Sequence, residues 1–458
     1  MPFKTIIEPF RIKSVEPVRM TTADERAHFL RQAHFNPFLL PSDKVLIDLL
    51  TDSGTSAMSS RQWAAMMLGD ESYAGAKSWE RFFEEVNDLT GMPHILPTHQ
   101  GRAAERILYG HLGGKGKYFF SNTHFDTTRA NIEFSGSTAI DLPCPEAKDY
   151  ESDLPFKGNM DTASLKRQIE SVGPDNVAAV ILTVTNNSGG GQPVSLANTR
   201  AVADICKQYH IPFVLDCCRI AENAWFIRHR EPEYTHLTYR EIAREMFGLA
   251  DAAVMSIKKD GLVNMGGFLA LRNHKLSEAC TNLLIITEGF ATYGGLSGRD
   301  MEAIAVGLEE VFEADYLHYR IRSTAYLGEN IRALGVPVIF PIGGHAVYVD
   351  AERLYPHIPR HEFPGQALVC ALYEVGGVRS VEVGSVMFGK YDAKGRFVPA
   401  AQELVRLAIP RRVYTQSHMD YVIEVFEEVL HRREQARGFR IAYEPPFLRH
   451  FTAHFEPL

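Results

Sequence analysis

Two residue types placed after apolar runs carry the first chemical suggestion. Asp216 closes the run Ile211-Pro212-Phe213-Val214-Leu215, and Ser256 with Lys258-Lys259 follows Ala252-Ala253-Val254-Met255. Runs of this kind read as strands buried on both faces. In open parallel sheets, ligands bind beyond the carboxyl ends of the strands. A carboxylate at one such end and an amine at another suit an aldehyde cofactor with a basic ring nitrogen. The lysine forms the Schiff base, and the aspartate keeps the ring nitrogen protonated so that the ring accepts electrons. Thr185-Asn186-Asn187, after the run Val177 to Val184, and Arg219, just past Asp216, join the same edge. Each is bland alone, since a strand-end Asp often caps a helix and a loop Lys pair is usually solvated. Their joint placement is the signal.

Such a cofactor needs a phosphate cradle. Pro97-Thr98-His99-Gln100-Gly101-Arg102 follows Ile95-Leu96 and precedes a helix pattern from Ala103 to Leu108. Gly101 permits close backbone approach, the helix N-terminus offers N–H groups to an anion, and Arg102 adds charge. An ordinary strand-to-helix turn has the same look. Phe125, before Asp126-Thr127-Thr128, is either an aromatic plate for a cofactor ring or a core residue. Gly189-Gly190-Gly191 lacks the Lys and spacing of a P-loop and reads as a turn.

The elements that position these groups alternate strand and helix, which indicates βαβ units and a mostly parallel sheet. Pro193 and Ser195 open a helix with Ala197, Ala201 and Ile205 expected on one face. From Asp300, Met301, Ile304, Leu308 and Val311 recur at helical steps. A last helix is expected near Ser417, with Asp420 as its capping-box partner and Met419, Val422, Ile423, Phe426, Val429 and Leu430 as its apolar face. The first fifty residues read as an arm and loops interrupted by Pro9, Pro17, Pro37 and Pro41. At roughly 150 residues per domain, a chain of 458 residues is expected to hold two or three. The expected divisions are 1–57 (arm and part of a small domain), 58–311 (a large cofactor-binding domain) and 312–458 (a small α/β domain).

Composition narrows the class. With 45% hydrophobic and 23% charged residues and a net charge of −8, the chain has no basic stripe for a nucleic acid and no apolar stretch long enough to span a membrane. Six cysteines, none in a C-x-x-C pair, are too sparse for a disulfide scaffold, so a cytoplasmic protein is expected. The start, Met1-Pro2-Phe3-Lys4 with Glu8, Arg11 and Lys13 soon after, carries no leader-like apolar region. No G-x-G-x-x-G follows a strand, which disfavours a nicotinamide dehydrogenase. A ligand-binding protein that keeps such a fold without catalysis is the non-enzymatic alternative.

The chain resembles the β-eliminating lyases that use pyridoxal phosphate, a family that splits tryptophan to indole or tyrosine to phenol. The resemblance runs from Glu8-Pro9-Phe10-Arg11-Ile12 through Ile47 to Thr55, Gly69-Asp70-Glu71 with Tyr73, and Pro97 to Arg102. It continues through Gly191-Gln192-Pro193-Val194-Ser195, Lys258-Lys259-Asp260 and Tyr293-Gly294-Gly295-Leu296, and closes with Ile409-Pro410-Arg411 and Tyr443-Glu444-Pro445. It implies the aspartate-aminotransferase-like fold, type I among pyridoxal-phosphate enzymes: a large domain with a mostly parallel seven-stranded sheet, plus a small α/β domain. A homotetramer is also implied.

The resemblance makes Lys259 the Schiff-base lysine and the base for the substrate α-proton, with Lys258 in support. Asp216 pairs with the pyridine nitrogen, Arg219 and Asn187 contact the ring oxygen, and Phe125 stacks on the ring. Gln100, Gly101, Arg102 and Ser256 hold the phosphate. Thr51, Ser53, Asn187, Val383 and Arg406 touch substrate, Arg406 by clamping its carboxylate with a planar fork. Tyr73 is the general acid at the leaving group, reaching a neighbouring subunit. Glu71 and the carbonyls of Gly54 and Asn264 resemble a potassium site. The family's small or hydroxyl residues after the aspartate are Cys217-Cys218 here, and Ile257 is larger than expected.

Substrate choice turns on three positions. The phenol-cleaving members resemble one another in a Thr after the stacking Phe, an Arg in the small domain and a Phe near the end; here these are Asp126, Val383 and His450. Val383 offers a phenolate no charge partner, whereas Asp126 can accept from an indole N–H. The expectation is therefore cleavage of L-tryptophan to indole, pyruvate and ammonia, with Lys259, Tyr73, His450 and Asp126 as the catalytic groups. Tyrosine cleavage to phenol is the alternative.

Overall fold

Seven short strands, apolar almost throughout, build the central sheet: His94–Thr98 (β1), Tyr118–Ser121 (β2), Thr138–Asp141 (β3), Val177–Thr183 (β4), Phe213–Asp216 (β5), Ala252–Ser256 (β6) and Gly267–Leu271 (β7). Their spatial order is β1-β7-β6-β5-β4-β2-β3. The neighbours from β6 to β3 run parallel, and β7 lies antiparallel between β1 and β6. Every residue of β4, β5, β6 and β7 is buried, as strands covered by helices on both faces must be. The computed structural model describes residues 5–446 and 448–458. Met1 to Lys4, part of the stretch inspected for a leader, lie outside the described residues.

The chain divides into two compact units: Ser53–Arg320, which holds this sheet, and Met1–Asp52 with Ile321–Leu458. The breaks fall after Asp52 and Arg320, where 57 and 311 were expected. The second lies within the helix Ala314–Ala333, and a break inside regular helix leaves no Gly or Pro mark in sequence. The smaller unit is built on an antiparallel sheet in the order Val381–Val383, Leu404–Ala408, Ala346–Asp350. Its core joins Leu327, Val347, Leu368, Leu372, Leu407 and Phe426.

Three local expectations need correcting. The first fifty residues contain the helix Ala23–Gln32, started by a capping box between Thr22 and Glu25; the gap between Pro17 and Pro37 leaves room for it. The helix after Ser195 spans Leu196–Tyr209 and buries Leu196, Thr199, Val202, Ile205 and Cys206. Ala197 faces solvent and Ala201 is half-buried, because a 3.6-residue turn carries the larger side chains inward and small alanines tolerate the outside. The last helix, Gln416–His431, is capped by Thr415 with His418; Asp420 instead accepts 2.7 Å from the Tyr326 hydroxyl. Its buried face is Met419, Val422, Val425, Phe426 and Val429, with Ile423 and Leu430 packed against the core edge.

The larger unit buries a complete ion pair. Arg320 Nε donates 2.8 Å to Glu222 Oε1, and both side chains are nearly inaccessible. Removing one partner strands a charge in a dry interior. Glu222→Ala is therefore expected to lower stability by about 3–5 kcal/mol. Glu245→Ala, which opens the exposed Arg200–Glu245 pair, is expected to change it by less than about 1 kcal/mol. Urea unfolding of both variants checks the contrast.

Candidate active site

At the start of the larger unit's sheet, β1 turns directly into the helix Gly101–Leu112. Gln100 is its extended N-cap and no side chain caps the first turn, so the leading N–H groups face outward in the manner of an anion site. Gly101 packs against the end of β6: a Cβ there would stand 2.6 Å from Ser256 Cβ. Only glycine lets the turn come that close to Ser256. Gly267 plays the same part on β7, where a Cβ would meet the Gln100 carbonyl carbon at 2.6 Å. Arg102 is exposed, and its charge acts on Lys258, whose ammonium is held below the usual lysine range first by burial, then by Lys259 and Arg102.

Asp216 lies deep in the sheet, in register with Thr183 on one side and Val254 on the other. It is 5% exposed. The Cys218 thiol donates 3.0 Å to Asp216 Oδ1 and accepts 3.2 Å from the Ser256 N–H. Burial, then Asp216, keeps that thiol protonated, while Lys259 pulls the other way. Cys217 donates to the Val254 carbonyl at 3.3 Å. The two cysteines thus pin the β5 end to β6. Lys259 is half-buried in the segment that leaves β6.

A carboxyl that sequence reasoning missed stands behind Asp216. Glu105 is buried on the helix Gly101–Leu112, accepting 3.2 Å from the Thr127 hydroxyl and a shorter bond from Thr128. Burial and then the nearby Asp216 push it up to about 7, against the two threonines and Lys259. The signal was available: a glutamate one turn into a helix, between Ala104 and Leu108 on the core-facing stripe, is not a surface residue.

Phe125 is the N-cap of the helix Asp126–Phe134, half-buried, with Asp126 Oδ1 accepting 2.6 Å from the Thr127 N–H. Asn187 and Arg219 are both buried, and the Arg219 N–H donates to the Val184 carbonyl at 3.3 Å. The strand ends thus bring Asp216, Ser256, Lys258, Lys259, Asn187 and Arg219 to one edge of one sheet.

Tyr73 and Glu71 lie elsewhere in the unit. The Tyr73 ring stacks on Phe290 at 5.5 Å and meets Tyr293 edge-on at 5.2 Å. It is 67% exposed, and a hydrogen bond to Tyr293 raises its phenol. Glu71 caps the helix Gly298–Glu310, accepting from the Gly298 N–H at 2.8 Å and from Arg299 Nε at 3.1 Å. Gly54 and Asn264 do meet. Asn264 Nδ2 donates 2.9 Å to the Gly54 carbonyl, and a Cβ at Gly54 would lie 3.0 Å from the Asn264 carbonyl oxygen. Among the described residues, no group of three His, Cys, Asp or Glu side chains forms a metal cluster. Ser53 is half-buried at the start of this unit.

In the smaller unit, register places Val383 and Arg406 on one face, since Val381 pairs with Arg406 and Val383 with Leu404. Both are buried, and Arg406 Nη2 donates 3.1 Å to the Leu50 carbonyl, next to the half-buried Thr51. His450 is buried against Phe38 and Phe451. Burial first, then Arg406 and Arg449, pushes its imidazole down to about 4, so it is neutral at pH 7. Sequence reasoning also passed over Glu382 and Glu403, two buried carboxyls beside Val383 and Leu404. A charged residue inside an apolar strand marked Glu382, and one directly preceding such a strand marked Glu403.

Comparison with known proteins follows this geometry. Residues 48–425 match the family described as Beta-eliminating lyase. The chain is 57% identical over 455 residues to a tryptophanase of Hyphomonas neptunium, covering 99% of this chain and 100% of that one. It is 58% identical over 453 residues to a tryptophanase of Salinibacter ruber, covering 99% and 96%. A tyrosine phenol-lyase of Intrasporangium calvum is 49% identical over 453 residues, covering 99% and 96%. Among solved structures, Sphingomonas wittichii serine palmitoyltransferase superposes with a TM-score of 0.59 at 11% identity, over 90% of this chain and 97% of that one. That likeness establishes the fold, the type I fold of pyridoxal-phosphate enzymes. Matches of such identity over nearly every residue settle the family as well: this chain is a lyase and belongs to the beta-eliminating lyases.

Proposed function

We propose that this lyase cleaves L-tryptophan by pyridoxal-phosphate-dependent β-elimination, releasing indole, pyruvate and ammonia. The observation that carries the choice of substrate is the buried, uncharged Val383 on the same face as Arg406. A departing phenolate gains nothing from a valine, whereas indole buries its rings against one. The higher identity to tryptophanases than to the phenol-lyase supports the same reading.

The residues present suit the cofactor. The uncapped helix start at Gly101 and the close Gly101–Ser256 approach fit a phosphate held by Gln100, Gly101, Arg102 and Ser256. The buried Asp216 fits a cationic pyridine nitrogen; Phe125 would stack on the ring, and Asn187 and Arg219 would contact its oxygen. When bound at Lys259, pyridoxal phosphate supplies the electron sink for the substrate α-carbon. Glu105, raised to about 7 by burial and then Asp216, is less charged near neutral pH than an ordinary carboxylate and so competes less with Asp216 for a ring proton. Lys259, with Lys258 beside it, takes the α-proton. Arg406 holds the substrate carboxylate, with Thr51 and Ser53 in support. Asp126 accepts the indole N–H, and His450, with Tyr73 reaching in from a neighbouring copy of the chain, delivers a proton to the indole carbon. Acid–base help of this kind contributes about 10²–10⁴-fold.

Three further elements belong to this reading. The carbonyls of Gly54 and Asn264, with the Glu71 carboxylate, are hard oxygen donors suited to potassium. Trp63, Met67 and Leu68, exposed on one short segment, suit a buried face between copies of the chain in a homotetramer. No described helix is long and apolar enough to cross a membrane, and the six cysteines are unpaired, as suits a cytoplasmic enzyme.

Purified protein with pyridoxal phosphate and potassium is expected to form indole from tryptophan and to show a visible absorption band that Lys259→Ala abolishes. Phenol from tyrosine without indole from tryptophan would replace this reading with the phenol-lyase one. His450→Phe is expected to lower kcat on tryptophan about 10²-fold while changing turnover of S-ethylcysteine, whose thiolate leaves without carbon protonation, by less than about threefold. Equal losses on both would remove His450 from the leaving-group step.

Glu105 gives a test in the cofactor-free protein. Its folded value, about 7, lies above the ordinary carboxylate value, so the fold binds a proton that the unfolded chain releases. That contribution is complete below about pH 4.5 and is lost as pH rises to about 7, a span of roughly 2–4 kcal/mol. Glu105→Gln is expected to flatten stability between pH 5 and about 7.5. Denaturation midpoints that fall in parallel with the wild type across that range would contradict the assignment.

A further inference from the structure

Five of the six cysteines are fully buried, and Cys218, just past β5, is half-buried. Its surroundings are not those of a packing residue. The thiol donates 3.0 Å to Asp216 Oδ1, the sulfur accepts 3.2 Å from the Ser256 N–H, and the Cys218 carbonyl accepts 3.4 Å from the Asp260 N–H. One residue thus touches the strand-end carboxylate, the end of β6 and the peptide that follows Lys259. Cys217 beside it is the contrast: it is wholly buried, and its thiol donates to backbone, the Val254 carbonyl at 3.3 Å.

The direction of the thiol bond follows from the partners. A backbone N–H can only donate, so the sulfur is the acceptor toward Ser256. An ionised carboxylate can only accept, and a thiol beside a negative charge keeps its proton, so the S–H points at Asp216. Hydrogen bonds to a charged partner are shorter and stronger than neutral ones. The distances agree. Thiols that donate to carbonyls do so at 3.3 Å (Cys217 to Val254), 3.4 Å (Cys144 to Lys157) and 3.5 Å (Cys370 to Phe35), against 3.0 Å at Asp216. A carboxylate offers two oxygens. With Oδ1 held by the thiol and the backbone held in register between Thr183 and Val254, the plane of the carboxylate is fixed and Oδ2 is the oxygen left for a further donor.

We propose that Cys218 is a positioning residue for the cofactor: its S–H holds Asp216 Oδ1 so that Oδ2 faces the pyridine nitrogen, and its sulfur ties that carboxylate to the Ser256 backbone. Gly101 packs on the same Ser256, where a Cβ would stand 2.6 Å away, so one thiol connects the ring-nitrogen end of the site to the first turn of the anion-binding helix. A methyl group at position 218 supplies no donor, whereas a hydroxyl does. The proposal rests on the reading of this sheet edge as the pyridoxal-phosphate site.

Infrared spectra of the whole chain before cofactor is added give the Cys218 S–H stretch as the band lost in Cys218→Ser. It is expected at the lowest frequency of the thiol bands, and Asp216→Asn is expected to raise it, because a neutral amide oxygen accepts more weakly than a carboxylate. Cys218→Ala is expected to raise the Kd for pyridoxal phosphate about tenfold and to alter the circular dichroism of the visible band, which reports how the ring is held. Cys218→Ser, which keeps an O–H donor, is expected to restore the dichroism and bring the Kd to within about threefold of the wild type. Turnover of tryptophan and of S-ethylcysteine is expected to fall together in Cys218→Ala, about fivefold, because the ring end acts before either leaving group departs. A Cys218 band that Asp216→Asn does not move overturns the proposal, even where Cys218→Ala fails to fold. Wild-type Kd and dichroism in Cys218→Ala, or equal losses in Cys218→Ser and Cys218→Ala, overturn it as well. A wild-type chain that forms no visible band with pyridoxal phosphate instead removes the cofactor reading itself.

Discussion

A negative charge kept dry at the end of a parallel sheet is the constraint on which the larger unit is built. Asp216 sits in register with Thr183 and Val254, among strands that are buried along their whole length. Ionised carboxylates resist such places unless paired and hydrogen-bonded. The Cys218 thiol donates to Asp216 at 3.0 Å, and a neighbouring glutamate is held up at about 7, so that it carries less charge than an ordinary carboxylate. An aspartate so placed is poised to neutralise a cation brought to it, and a protonated heterocycle answers that need.

Close packing supplies the other half of the arrangement. The first turn of the helix Gly101–Leu112 reaches β6 and β7 only because Gly101 and Gly267 have no side chains. That approach aims uncapped N–H groups over the same edge where Ser256 and Lys258-Lys259 emerge. The outward-facing N–H groups and the buried carboxylate are thus placed by backbone geometry. The smaller unit works differently: Arg406, Val383 and Glu382 hang from short antiparallel strands, and their environment is set by side chains.

Much of this was legible from residue order. Uninterrupted apolar runs of strand length announced β4, β5 and β6, and the polar residues just past them proved to share one sheet edge. The carboxyls were less legible. Glu105, Glu382 and Glu403 are buried by tertiary packing, and a lone glutamate in a sequence window reads as solvated unless its helical or strand phase is followed. The helix Ala23–Gln32 was hidden by the prolines around it, although Thr22 and Glu25 spelled its start. Cys218 illustrates a subtler limit. Its departure from a small or hydroxyl residue was visible, but that a thiol still donates to Asp216 depends on a distance that sequence does not carry.

The cofactor end and the substrate end are therefore under different physical control. A tryptophanase and a tyrosine phenol-lyase match this chain along nearly all its length, at 57% and 49% identity. Likeness of that extent to both kinds of enzyme does not by itself explain a choice between indole and phenol. That choice requires a difference in how a leaving group is stabilised as its bond breaks, and only interactions stronger at that moment than before it count. A phenolate asks for a cation, whereas indole asks for a proton at carbon and a place for two rings. On the proposed reading, Val383, Asp126 and a His450 kept neutral by burial and two arginines would serve the second demand. On that reading the first is left unmet, because neither a valine nor a neutral imidazole supplies a positive charge, while an imidazole can still pass a proton.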